Sequence, residues 1–120
     1  MKTMWLWVPE AEWAPDDMKP RVIEIGSEPK GPGAVYEVQA KNSIRCNALV
    51  RRYLDLEAKG ITSEATGETR ALLAKTHPAL EAVKRVALYK LVKKQELVDL
   101  HAPWGQTKKV KRTFIRLVKE

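Results

Sequence analysis

Apolar and polar positions change their period several times along this chain. From Ser43 onward, Cys46, Leu49, Tyr53 and Leu56 recur at steps of three and four residues, the spacing of one face of an α-helix. Ser43 stands where an N-cap belongs and Gly60 where the chain leaves such a helix. Arg45, Arg51, Arg52 and Asp55 fall mostly off the stripe and face solvent. A second, shorter helix is predicted from Thr62 or Thr66 to Lys75, with Leu72, Leu73 and Ala74 on its inner side. Gly67 weakens its first turn by about 1 kcal/mol relative to alanine, and Thr76-His77-Pro78 end it. Pro78 suits the first position of a third helix, where its missing N–H costs nothing. That helix is predicted to run to about Lys94, burying Val83, Val86, Ala87 and Leu91 and surrounding them with Lys84, Arg85, Lys90, Lys93 and Lys94.

The flanking segments carry strand patterns. Residues 21–25 and 34–39 are short β-branched runs separated by a Gly- and Pro-rich stretch, which predicts an N-terminal β-hairpin over 21–39 with a long loop. Leu97–His101 and Val110–Val118 predict a C-terminal hairpin closed by a basic loop that contains Pro103, Trp104, Lys108 and Lys109. Residues 1–20 hold Trp5, Trp7 and Trp13, three prolines and the carboxylates Glu10, Glu12, Asp16 and Asp17. They read as an extended arm preceding a single domain over 21–120. Trp5 and Trp7, two residues apart, can face the same side of a strand and pack onto the body.

Charge narrows the function classes. The chain of 120 residues has a net charge of +7. Up to Gly60 there are 9 basic and 9 acidic residues, whereas 13 basic and 6 acidic residues follow, so the whole excess lies in the second half. Such asymmetry is the footprint of a surface that meets phosphate, anionic lipid or an acidic protein. Cys46 is the single cysteine; an intrachain disulfide is excluded, and a reducing compartment, cytoplasm or nucleoid, is expected. Pro9-Glu10 interrupts the first apolar run too early for a signal peptide, and no stretch approaches the ~20 apolar residues that cross a bilayer. No membrane partner is expected.

The order helix, helix, short turn, charged helix and basic hairpin resembles the winged helix-turn-helix family of DNA-binding domains over about Ser43 to Glu120. The resemblance is carried by Ile61-Thr62-Ser63-Glu64 at the second helix, Pro78 at the third, and Leu97-Val98-Asp99-Leu100 before the hairpin. It implies an α+β fold in which an N-terminal β-hairpin precedes a three-helix winged-helix-like body with a C-terminal β-hairpin. It also implies a third helix lying in the major groove, with Lys84 and Arg85 toward base edges and Lys93 and Lys94 on the same helix. The wing, with Trp104, Lys108, Lys109, Lys111 and Arg112, would touch the backbone or the minor groove.

Enzymatic constellations are weak. His77, His101 and Cys46 lack the spacing of a zinc site, and Cys46 lies on the apolar stripe, the position of a small buried hydrophobe. No catalytic residue, metal or cofactor is expected. The expected function is that of a small basic nucleic-acid-binding protein, on duplex DNA rather than RNA, acting as a transcriptional or replication accessory factor. Two alternatives stay open. One is a protein-interaction module, an inhibitor or adaptor docking through Trp5, Trp7 and Trp13; the other is an RNA- or ribosome-associated protein stacking Trp104 on an unpaired base. The oligomeric state is likewise open.

Overall fold

A computed structural model of the chain describes residues 1–13, 19–101, 105 and 107–120. Its elements in chain order are β1 (Lys2–Pro9), β2 (Arg21–Ile23), β3 (Gly33–Ala40), α1 (Ser43–Ala58), α2 (Gly67–Thr76), α3 (Pro78–Ala82), β4 (Val83–His101) and β5 (Thr107–Lys119). The strands form one antiparallel sheet in the order β2-β1-β3-β4-β5, and the helices lie on one of its faces.

The winged-helix-like architecture expected from the sequence is not the one observed. The first correction concerns residues 21–39. β2 and β3 do not pair with each other; β1 lies between them, with Leu6 opposite both Val22 and Tyr36. β1 can occupy the middle of the sheet because Met4, Leu6 and Val8 point to the helix side while Trp5 and Trp7 point to the other. An unbroken apolar run is the pattern of a strand covered on both faces.

Two cores result. On the helix side, Leu6, Tyr36, Val38 and Val83 pack against Cys46, Leu49, Val50, Tyr53 and Leu56 of α1 and against Ala79 and Leu80 of α3. On the opposite side Trp7, Val35 and Ala87 are buried beneath Trp5, Trp13 and Tyr89. The tryptophans of the first segment therefore cover the protein's own sheet: Trp7 is 1% exposed, and the Trp7 and Trp13 rings tilt against each other 6.3 Å apart.

α1 follows its predicted stripe. Its N-cap is Asn42, one residue before Ser43, whose side-chain Oδ1 accepts from the Arg45 N–H at 2.9 Å. Gly60 follows the helix at φ 77°, a left-handed conformation open to glycine. α2 begins at Gly67 and presents Leu73 and Ala74 to the core. Leu72, expected inward, is 68% exposed.

The second and largest correction lies after Pro78. The proline does open a helix, but α3 ends at Ala82 and the chain continues as β4 for 19 residues. Val83, Ala87 and Leu91 are four residues apart, a spacing that keeps one face on a helix and also on a regular strand, although in β4 an irregularity at Val86 sets Val83 on the helix side and Ala87 on the other. β-Branched Val83, Val86, Val92 and Val98 favour the strand, and pairing of β4 with both β3 and β5 completes it. The strand thus begins 14 residues earlier than Leu97, and its pairing with β5 begins at Tyr89, eight residues earlier.

Only the first part of β4 belongs to the body. Its pairing with β3 runs from Val83 to Tyr89, whereas its pairing with β5 runs from Tyr89↔Lys119 to His101↔Thr107. Beyond Tyr89 the two strands project as a ribbon, about 40 Å long at 3.3 Å per residue. The molecule accordingly measures 71 × 29 × 26 Å with a radius of gyration of 20.1 Å, against roughly 14 Å for a compact domain of this length.

Candidate nucleic-acid interface

The ribbon concentrates the charge of the chain. Residues 90–120 contain nine lysines and arginines against the carboxylates Glu96, Asp99 and Glu120, a net +6 of the total +7. The two strands differ sharply. β5 carries Lys108, Lys109, Lys111, Arg112, Arg116 and Lys119 and no carboxylate, while β4 from Leu91 to His101 balances Lys93 and Lys94 with Glu96 and Asp99.

Strand alternation decides where these cations point. Lys90, Lys94, Lys108, Arg112 and Arg116 lie on the ribbon face continuous with the helix side; Lys93, Lys109, Lys111 and Lys119 lie on the face continuous with the tryptophan core. All are exposed. Arg116 reaches Glu96 at 3.5 Å and Lys90 reaches Glu120 at 3.0 Å. Both are open surface pairs, which hold side chains only weakly. Apolar residues separate the charges: Leu91, Leu97 and Ile115 on one face and Val92, Leu100 and Val118 on the other are all exposed.

The expected site residues fall into three groups. Lys111 and Arg112 are on β5, in the segment expected to be a strand; Lys108 and Lys109, expected in the connecting loop, are on the same strand, and Lys93 and Lys94 join them on the ribbon from β4 and not from a helix. Lys84 and Arg85 are not on a recognition helix; they lie in the body part of β4, opposite Glu37 and Tyr36. Arg85 Nη1 contacts Glu57 Oε1 of α1 at 3.4 Å, so its guanidinium is turned toward the protein's own helix. Trp104 lies outside the described residues, as do Asp16 and Asp17. Lys90, Arg116 and Lys119 were missing from the expected set; each becomes visible once the alternation is followed through the whole of β4 and β5.

At the other end of the body an open groove of about 810 Å³ is lined by Met1, Lys41, Asn42, Arg45, Pro78 and Glu81, among others. Its charged groups are exposed and of both signs, so it has no buried polar anchor for a small ligand. Among the described residues no group of three or more His, Cys, Asp or Glu could hold a metal ion. No described helix is long and apolar enough to cross a membrane. Burial raises the Cys46 thiol above its ordinary pKa, which disfavours the nucleophilic thiolate. Comparison with family models, with curated proteins and with solved structures found no match for the chain.

Proposed function

We propose that this protein binds duplex nucleic acid, DNA in preference to RNA, through the β4–β5 ribbon, as an accessory factor and not as an enzyme. The observation that carries the reading is β5: six cations and no carboxylate on one strand of an arm that stands clear of the body. A polyanion is the partner that neutralises such a row without further contacts. Each lysine or arginine set on a phosphate releases counterions, and the affinity grows with their number. A two-stranded ribbon, with neighbouring strands about 4.8 Å apart, enters the major groove of B-DNA, roughly 12 Å wide, but not the deep and narrow major groove of A-form RNA.

The exposed leucines, valines and isoleucine between the cations add short apolar contacts to sugar and thymine methyl groups. The ribbon offers few side chains that form paired hydrogen bonds with base edges; Gln95 and Arg112 are the main ones, opposite Thr113 and Glu96 respectively. Affinity is therefore dominated by phosphates, and discrimination among sequences is modest.

The test is a titration of the full chain against duplex DNA, single-stranded DNA and duplex RNA at several salt concentrations. Tightest binding to duplex DNA, weakening steeply with salt, is the expected result. Absence of binding to all three at low salt contradicts the reading.

A further inference from the structure

Resting on the nucleic-acid reading above, we infer that the ribbon enters duplex DNA with the face continuous with the helix side turned inward, and that Phe114 on that face recognises thymine through its methyl group.

Phe114 is the one phenylalanine of the chain. It packs against neither core and is half-buried on an arm that has left the body. Lys94 stands directly opposite it, and Arg112 and Arg116 stand two residues to either side on β5, so all four share one face. Val92, Val98 and Val110 are on the same face, but a valine ends close to the backbone, whereas the phenylalanine ring stands out beyond it. A large ring that no core uses, set among three cations, suits a ligand that is anionic at its margins and apolar at its centre.

Charge favours this face over the other. Both arginines of the ribbon lie on it, whereas the opposite face carries the lysines Lys93, Lys109, Lys111 and Lys119. A planar guanidinium gives a directed, two-pronged contact inside a groove, while an ammonium acts on a phosphate as a point charge. The carboxylates of the inward face are held by cations, Glu96 by Arg116 at 3.5 Å and Glu120 by Lys90 at 3.0 Å. On the opposite side Asp99 and Glu12 form no ion pair among the described residues, and Glu12 borders the ribbon's root beside Trp13 and Leu91. A duplex laid against that side would meet those free carboxylates with its phosphates.

The dimensions of the major groove agree. Side chains reach about 5 Å to either side of a sheet, half the roughly 10 Å spacing of packed sheets, so the ribbon fills a groove roughly 8.5 Å deep. The outward lysines then stand level with the phosphates of the groove walls. The Phe114 ring reaches the floor, where the C5-methyl of thymine is the apolar group that a base pair presents.

The test compares binding of the full chain to a mixed-sequence duplex and to the same duplex with deoxyuridine in place of every thymine, which removes the methyl groups and keeps the pairing. The thymine duplex should bind about fourfold more tightly, the effect of burying one methyl group. Phe114→Thr, which retains strand propensity, should reduce that ratio below about twofold and leave the salt dependence unchanged; Ile115→Thr, on the opposite face, should preserve the ratio. Should Phe114→Thr fail to fold, irradiation of the unaltered chain on a duplex carrying 5-iodouracil at the thymine positions reads the same contact, with an adduct at Phe114 expected by fragment-ion mass spectrometry. DNA bound without a thymine preference, a preference lost in Ile115→Thr and kept in Phe114→Thr, or no adduct at Phe114 would overturn the inference while leaving the ribbon as the interface. Absence of any DNA binding would overturn both.

Discussion

Val83 and Ala87 lie four residues apart on the same strand, yet Val83 is buried among the helices and Ala87 among the tryptophans. Val86 is the reason. Val35 pairs with Ala87 and Tyr36 with Arg85, leaving Val86 as an extra residue that reverses which side of the sheet the strand presents. The bulge lets one strand close two cores and then leave the body as a ribbon. Deleting Val86 should shift every later side chain of β4 to the opposite face. The expected outcome is loss of the cooperative urea transition, whereas Val83→Ala keeps it and lowers stability by roughly 1–3 kcal/mol.

Gly31 and Gly33 fix the packing of the tryptophan face. A Cβ on Gly31 would meet the six-membered ring of Trp13, while a Cβ on Gly33 would meet the Val8 carbonyl oxygen and lie 2.7 Å from Trp7 Nε1. A ring can turn aside; a backbone oxygen in the middle of a sheet cannot. Gly31→Ala should alter tryptophan fluorescence at a cost of about 1 kcal/mol, and Gly33→Ala should cost more, roughly 2–3 kcal/mol, in thermal or urea unfolding.

The helix-side core contains a titration that can be read directly. Burial, followed by the nearby Glu57 carboxylate, pushes the Tyr36 hydroxyl up to about 12. The folded state then holds a proton that the unfolded chain releases near pH 10. Stability is fully present below pH 10 and falls by about 1.4 kcal/mol per pH unit as pH rises from 10 toward 12. Tyr36→Phe should flatten that decline in melting temperature. An unchanged slope in the phenylalanine variant would show that another group is responsible.

Much of this architecture was legible where a segment had one interpretation. α1 was, because steps of three and four residues exclude a strand, and so was the basic hairpin at the C-terminus. Val83, Ala87 and Leu91 were not, since steps of four satisfy both periods and the neighbouring lysines suit either solvent face. β1 was read as an arm because the prolines and carboxylates after it obscure an apolar run too short for a helix. Of the expected site, Lys111 and Arg112 needed only local alternation to be placed, whereas Lys108 and Lys109 were read as loop because the Pro103-Trp104-Gly105 stretch before them hides where the strand begins. Lys84 and Arg85 depended on the third helix and moved to the body with it.

That relocation is itself measurable. Arg85 and Glu57 form a half-open pair, and Arg85→Ala should change stability by less than about 1 kcal/mol. Because Arg85 is off the ribbon, the same substitution should leave DNA affinity within about twofold, as exposed substitutions outside an interface do. A sequence-dependent loss of affinity would place base reading in the body instead.

The most direct measurement of the central claim is the salt dependence of duplex DNA binding for the full chain and for a Lys111→Gln, Arg112→Gln variant. The two side chains point to opposite faces of β5, so both contribute only if the ribbon is enclosed by the phosphates. The account predicts that the slope of log affinity against log salt becomes shallower by roughly 1.8 for each chain bound, with similar losses on unrelated sequences. An unchanged slope, with the variant still folded, would contradict it and remove the ribbon from the interface.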